Sequence, residues 1–319
     1  MLIEEIPREF PAIIDSSLRS DFSACQQKGY LRHILGLVPE TVNIHLNAGG
    51  AYAKGLEIFR RNFYSGTLDY DTAVAAGLRD LIRTYGDPDF DPAEAKQWYR
   101  IVDAYLSYLT HWGGATDYLK PAMQPDVTGE TVPAVEFTFA IPIADYRHPV
   151  TGDPLLFSGR FDMLGEMNGN LFVVDDKTTS RLGATWSQQW DLRSQFTGYC
   201  WAAQQYGYPV AGAIIRGTAI LKTQINHAEA IVYRPKWMLD RWYDRLCLDI
   251  EHLLANWEML DDTVLTERDC FPHTGEESGA CSSYGNCAYK MLCESNDPDA
   301  WLDGNFVVRR WNPLTNEEK

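Results

Sequence analysis

Acidic residues lie inside a pair of apolar strands joined by a tight turn. Residues 155–167 read Leu-Leu-Phe-Ser-Gly-Arg-Phe-Asp-Met-Leu-Gly-Glu-Met, residues 171–180 read Leu-Phe-Val-Val-Asp-Asp-Lys-Thr-Thr-Ser, and Asn168-Gly169-Asn170 stands between them. Apolar runs on either side of an Asn-Gly step predict a hairpin. Asp162 on the first strand, and Asp175 and Asp176 on the second, then occupy positions where an uncompensated charge is costly. Residues two apart on a strand share a face, so Asp175 and Lys177 project together while Asp176 points away. The short turn brings Asp162 to the same end of the neighbouring strand, so two carboxylates and a lysine converge. Carboxylate oxygens suit a hard cation such as Mg²⁺ or Mn²⁺, and a lysine beside them can orient a water or meet charge developing on a phosphate. An Asp-x-Lys tripeptide alone reads first as an ion pair near a strand end; the preceding Gly159-x-x-Asp162 strand makes this group unusual.

The rest of the chain alternates between helical and strand patterning. Helical periods predict one or two helices over Ser17–Leu37 and further helices over about Gly49–Phe63, Tyr70–Tyr85, Pro92–Trp112, Trp190–Tyr206 and Pro235–Leu254. Strands are predicted over Val132–Ile143, Leu155–Met167, Leu171–Ser180, Gly212–Thr223 and Ala228–Arg234. This is the pattern of a mixed α/β sheet with helices packed on it. We read the 319 residues as one domain in three parts: a mostly helical stretch 1–130, a sheet-bearing core 131–255 and a Cys-rich segment 256–319. The last part has no strong period, so something other than apolar packing is expected to hold it.

No apolar run approaches the roughly 18 residues of a membrane span. The N-terminal Met-Leu-Ile-Glu-Glu-Ile has acids where a secretory leader has bases, so a cytoplasmic chain is expected. With 28 Lys plus Arg against 44 Asp plus Glu, the net charge is −16, which taken alone argues against a nucleic-acid partner.

The series Gly159-Arg-Phe-Asp162, Val173-Val-Asp-Asp-Lys-Thr-Thr179 and Gln195-Phe-Thr-Gly-Tyr199 resembles that of RecB-type PD-(D/E)XK nucleases. The resemblance implies a restriction-endonuclease-like fold, Asp162 and Asp175 as ligands of a catalytic Mg²⁺ or Mn²⁺, and Lys177 as the lysine assisting the nucleophilic water. It also implies that Gln195 and Tyr199, which share a helix face, border the DNA channel. Glu136 resembles the acid that precedes the metal motifs in this superfamily, and an exposed strand glutamate is the competing reading. Many relatives carry a metal-ligating histidine in a Gly-x-x-x-His helix. The matching stretch begins at Gly49, Ala53 stands at the histidine position, His45 is read as preceding the helix, and Glu57 one turn beyond Ala53 could supply an oxygen.

Seven cysteines are present, three of them in Cys281-x5-Cys287-x5-Cys293. Three thiolates need a fourth ligand for a tetrahedral zinc site or a cuboidal iron-sulfur cluster, and spacing leaves both Cys25 and Cys270 open. The resemblance extends to AddB-type and CRISPR-adaptation nucleases, in which one upstream and three C-terminal cysteines hold a 4Fe-4S cluster. It therefore implies Cys25, Cys281, Cys287 and Cys293 as ligands, joining the N- and C-terminal segments by an iron-sulfur staple; zinc on the same four residues is the alternative. Cys200 and Cys247 lie in apolar helical patterns and read as core residues.

The function implied is a metal-dependent deoxyribonuclease, an exonuclease of DNA processing, recombination or repair. The alternative is a catalytically weak DNA-binding or assembly module of the same fold. The implied partners are DNA, a second copy of the chain, or a recombination or replication protein. Bound cations would invert the field where a phosphate arrives, so the net charge predicts modest, metal-dependent affinity for DNA. Arg160, Lys177, Arg181, Arg193 and Arg216 are the bases placed to line a local positive channel.

Overall fold

The computed structural model describes residues 2–41, 43–88, 90–126, 128–282, 286–312 and 317–318. After a 3-10 turn over Ile3–Glu5 come strand β1 (Ile13–Ile14), helix α1 (Ser16–Ala24), a single helical turn α2 (Gln26–Gly29), a π-helical turn over Tyr30–Ile34, and strand β2 (Leu37–Pro39). Asp15 starts α1 by accepting a hydrogen bond from the Leu18 N–H at 2.7 Å. The helical period read over Ser17–Leu37 breaks at Cys25, whose extended backbone (φ −164°, ψ 123°) ends α1 and begins α2.

Three long helices follow: α3 (Ile44–Tyr64), α4 (Tyr70–Tyr85) and α5 (Trp98–His111). Asn43 caps α3 by accepting from the His45 N–H, which places His45 in the first turn and not ahead of the helix as its sequence suggested. The third helix starts later than Pro92, because the Asp91 carboxylate takes the Ala93 N–H and the Asp91 carbonyl takes the Glu94 N–H and the Gln97 side chain, closing a turn. Short strands β3 (Lys120–Pro121), β4 (Met123–Pro125) and β5 (Thr131–Pro133) lead into β6 (Val135–Arg147), β7 (Pro154–Met167) and β8 (Asn170–Thr179). Helix α6 (Ser194–Gln205), strands β9 (Val210–Ile220) and β10 (Ile225–Tyr233), and helix α7 (Lys236–Met259) complete the central region. Beyond them the described residues form short elements, among them α8 (Glu267–Cys270), α9 (Gly275–Ser278), α10 (Lys290–Glu294) and β11 (Phe306–Val308).

Contacts divide the chain into two units, 1–41 with 139–159 and 241–319, and 42–138 with 160–240. In the second unit the predicted hairpin pairs Met163 with Val174 through Met167 with Asn170. Its turn holds Asn168 and Gly169 at φ 52° and 77°, the left-handed backbone that a two-residue hairpin requires. β8 then runs parallel to β9, the crossover passing through α6, and β9 pairs antiparallel with β10. β8 lies between β7 and β9 and contacts α3 and α6, and with its two faces covered Phe172, Val173 and Val174 form an unbroken buried run. Helices α3, α4 and α5 bury a shared core of Tyr52, Leu56, Phe59, Leu81, Ile101 and Tyr105. Together these elements make a mixed α/β fold, a mixed sheet flanked by helices.

In the first unit β1 runs parallel to the opening residues of β7, with Ile13 opposite Leu156, and β2 pairs antiparallel with β11. Phe22, Tyr30 and Phe271 pack ring against ring, and the Tyr289 hydroxyl donates to the Leu37 carbonyl at 2.6 Å. These contacts anchor the irregular Cys-rich segment.

Candidate active site

Asp162 and Asp175 lie one residue beyond the Met163–Val174 pair on their respective strands. The Asp176 N–H donates to Asp162 Oδ2 at 2.6 Å, and the Lys177 ammonium stands 2.5 Å from Asp175 Oδ2. Burial, then the nearby charges of Asp175, Asp176 and Glu136, hold the Asp162 carboxyl well above the ordinary carboxylate range. Burial also raises Asp175, against the opposing pull of Lys177. For Lys177 burial disfavours the charged form, but Asp175 and Asp162 outweigh it and the ammonium is held more firmly than usual. On α6, Gln195 Nε2 donates to the Tyr199 hydroxyl at 3.0 Å, Tyr199 is buried with its hydroxyl raised by burial and by Asp175, and Lys177 lies 5.9 Å over the Phe196 ring.

The opposite face of β8 meets α3. Asp176, read as pointing away from the other acids, is 1% exposed and pairs with the Arg60 guanidinium at 2.6 Å, itself 6% exposed. Arg60 also donates to the Tyr108 hydroxyl at 2.7 Å, and Arg216 donates to the same oxygen at 3.2 Å. Arg216 binds both Asp117 oxygens at 2.6 and 2.9 Å, reaches Glu229 at 3.0 Å and lies over the Trp112 ring at 4.1 Å. Its side chain is fully buried, so it is structural and does not line a channel as the sequence suggested. Sequence reading missed Arg60. The available signal was helical phase, since Tyr52, Leu56 and Arg60 share one face of α3 at four-residue steps.

Glu136 pairs with Arg160 at 2.6 Å, and its backbone sits at φ 55°, a left-handed conformation costly for a residue with a side chain. Burial pushes its carboxyl up to about 7 despite Arg160, with Glu57 adding to the rise. Glu57 is engaged on both oxygens, by Lys54 at 2.9 Å and Arg61 at 3.0 Å. Thus Asp162, Asp175, Lys177 and Glu136 act on one another electrostatically, Glu57 reaches them through Glu136, and Ala53 one turn from Glu57 brings no donor.

Among the described residues, no group of three or more His, Cys, Asp or Glu side chains is assembled to hold a single metal ion. The donor set nonetheless suits a divalent cation. Three carboxyls crowd together with ionisation suppressed, and buried Asp175 Oδ2 and Asp176 Oδ1 complete no hydrogen bond of regular geometry. Added positive charge is what such a cluster lacks.

In the first unit Cys25, Cys281, Cys287 and Cys293 line one cavity of about 350 Å³ together with His273 and Tyr289. The Cys281 thiol and His273 Nε2 are 3.3 Å apart. A Cβ on Gly275 would lie 2.8 Å from Cys281 Sγ and 3.5 Å from Cys25 Sγ, so glycine leaves the space these thiols need. Burial raises the Cys281 thiol and pushes Cys293 up to about 11. Cys270 is buried but does not line the cavity, and Cys200 is a core residue of α6. Residues 283–285, between Cys281 and Cys287, lie outside the described residues.

No curated protein matches the chain. A solved structure titled "Crystal structure of SSO0001" aligns at 14% identity and a TM-score of 0.26, covering 66% of this chain and 76% of that one. A family model described as the PD-(D/E)XK nuclease superfamily matches residues 17–294, a span that contains the hairpin acids, Lys177 on β8 and helix α6. With most of its length matched in this way, the chain belongs to the PD-(D/E)XK nuclease superfamily.

Proposed function

We propose that the protein is a divalent-metal-dependent deoxyribonuclease acting on DNA ends. The observation that carries this reading is the convergence of Asp162, Asp175 and Lys177 on adjacent buried strands, with Glu136 close enough to raise the Asp162 carboxyl further. Asp162, Asp175 and Glu136 are the residues that would hold Mg²⁺ or Mn²⁺. The bound cation supplies electrophilic stabilisation of phosphoryl oxygens and a water acidic enough to attack near neutral pH. Lys177, a firmly held ammonium, orients the attacking water and offsets negative charge developing on the phosphate. Gln195 fixes the Tyr199 hydroxyl, and this bonded pair gives the α6 side of the site a rigid polar edge along which a strand can lie. Wild-type protein incubated with labelled single- and double-stranded DNA in Mn²⁺ should shorten it from the ends, and Asp175→Ala and Lys177→Ala should abolish this. Undiminished cleavage by both variants would refute the assignment.

A second reading, a DNA-holding module with weak or no hydrolysis, draws support from one region. Ala53 offers no imidazole, and both Glu57 oxygens are already committed to Lys54 and Arg61. It predicts retention of DNA in Mn²⁺ without shortening.

For the thiol-lined cavity we propose a 4Fe-4S cluster held by Cys25, Cys281, Cys287 and Cys293, stapling α1 to the Cys-rich segment. Four thiols around one cavity support a four-thiolate site, with zinc on the same residues as the alternative. This assignment suits a reducing, cytoplasmic setting. A second copy, or a recombination or replication protein, is the proposed means of keeping DNA on a chain of charge −16.

A further inference from the structure

Lys96, two residues ahead of α5, is 4% exposed. Its carbonyl accepts the Tyr85 hydroxyl at 2.9 Å, and its ammonium donates to Thr178 Oγ1 at 3.3 Å. Among the described residues no carboxylate pairs with it, and burial pushes the ammonium down to about 8. Lysine is almost never buried this deeply unless an acid compensates it. Arg60 and Arg216 are buried as well, but each grips an acid, and Arg234 spends its donors on Thr197 and two carbonyls. Lys96 completes one protein hydrogen bond of the three that an ammonium can donate.

Its place in the fold is equally specific. Thr178 follows Lys177 on β8 and lies opposite Thr218, where β8 and β9 end side by side and parallel. Ligands of open α/β sheets bind outside the carboxyl ends of parallel strands. Thr178 shares the α3 face of β8 with Asp176, so Lys96 reaches the strand end from that side, across the sheet from α6. The helix there presents bare backbone. A Cβ on Gly49 would lie 3.5 Å from Thr178 Oγ1, and one on Gly50 would meet nothing within 4 Å. Glycine at such positions lets a ligand approach the chain closely.

Resting on the nuclease reading above, we propose that Lys96 is a phosphate-binding residue of the DNA site, holding a phosphate of the bound strand beside the one that Asp175 and Lys177 address. The ammonium has already lost most of its water on folding, so a phosphate oxygen gains more from it than from an exposed lysine. Its flexible stem lets it pass from Thr178 to an oxygen at the strand end. The fold carries an uncompensated charge without DNA, and the substrate supplies the missing anion.

The test uses the full chain, thermal melting without DNA, and fluorescence anisotropy with a labelled single-stranded oligonucleotide in Ca²⁺ over a series of salt concentrations. Lys96→Met should melt higher than wild type by about 2 °C or more, because an unpaired buried charge is gone. The same variant should bind DNA about tenfold more weakly, with a log K against log salt slope smaller by about 0.7, the share of one phosphate contact on a single strand. Lys96→Arg should keep the wild-type slope. Arg79→Gln removes an exposed charge from α4 and should leave affinity and slope unchanged. If Lys96→Met does not fold, Lys96→Gln takes its place in each comparison. Wild-type affinity and slope in the folded neutral variant overturn the inference, and a lowered melting midpoint alongside them assigns Lys96 a structural role. An equal loss of binding in Arg79→Gln overturns it too, since net charge alone is then at work. Each of these results leaves the nuclease reading standing. Wild type that neither binds DNA in Ca²⁺ nor shortens it in Mn²⁺ overturns both.

Discussion

The Asp176 N–H donates to Asp162 Oδ2 at 2.6 Å, while the Asp176 carboxylate is gripped from the other side of the strand by Arg60. One residue thus serves the site with its backbone and the helix layer with its side chain. The position of Asp162 is tied, through a single peptide unit, to an ion pair that no substrate touches.

That linkage makes the Arg60–Asp176 pair measurable. Arg60→Met leaves a carboxylate buried without its partner and should cost about 3–5 kcal/mol in urea unfolding, whereas Arg60→Met/Asp176→Asn should recover part of the loss. Single-variant effects that simply add in the double variant would show no coupling between the two groups.

Asp162 is held against its chemistry. Burial and three neighbouring acids disfavour its charge, so Asp162→Asn should stabilise the metal-free protein by about 0.5–2 kcal/mol while removing Mn²⁺-dependent cleavage. A melting midpoint in EDTA below that of wild type would contradict the electrostatic account.

His227 sets an acid limit. Its ring nitrogens meet Ser107 Oγ at 2.8 Å and Thr218 Oγ1 at 3.0 Å, and burial, helped by His111, pushes it down to about 4. The unfolded chain takes up this proton near pH 6.5 and the folded chain only near 4. The unfolded state therefore binds more protons in that window, and stability falls as pH drops through it. His227→Asn should flatten the stability profile between pH 4 and 6.5; an unchanged slope would place the acid sensitivity elsewhere.

The cavity cysteines differ from the nearby buried one in position, and this predicts a difference in loading. Anaerobically purified Cys25→Ser should lose most of its iron and visible absorbance, and Cys270→Ser should keep both. Iron lost equally from the two variants would remove the distinction.

Helices α3 and α4 approach through glycine. A methyl on Gly77 would run into the Tyr105 hydroxyl and the Gly55 carbonyl. Gly77→Ala should therefore destabilise by about 1–3 kcal/mol despite the better helix propensity of alanine, as read by thermal melting.

What could be read from the sequence was local. Asp162, Asp175 and Lys177 lie in two strands joined by an Asn-Gly turn, and strand periodicity with turn chemistry sufficed to put them side by side. Gln195 and Tyr199 needed only helical spacing. Distant partnerships were hidden because charge alone does not announce burial. Arg60 drew no reading of its own and Arg216 was read as a channel base, yet each is buried against an acid far away in sequence. The left-handed backbone at Glu136 was hidden for another reason, since nothing in Val-Glu-Phe marks a residue other than glycine for that conformation.

The two-residue turn also bears on how the chain reaches this state. Hairpins close in about 1–10 μs, so Asp162 and Asp175 are brought together early and by local contacts. Arg60, the counterion of Asp176, is 116 residues away and arrives only when α3 docks, a contact of high sequence separation that forms slowly. Until then the Asp176 carboxylate lacks this partner, whereas Lys177 reaches Asp175 within the same strand. Divalent cations should speed folding as well as support chemistry, giving the metal site a part in assembling the protein that later uses it.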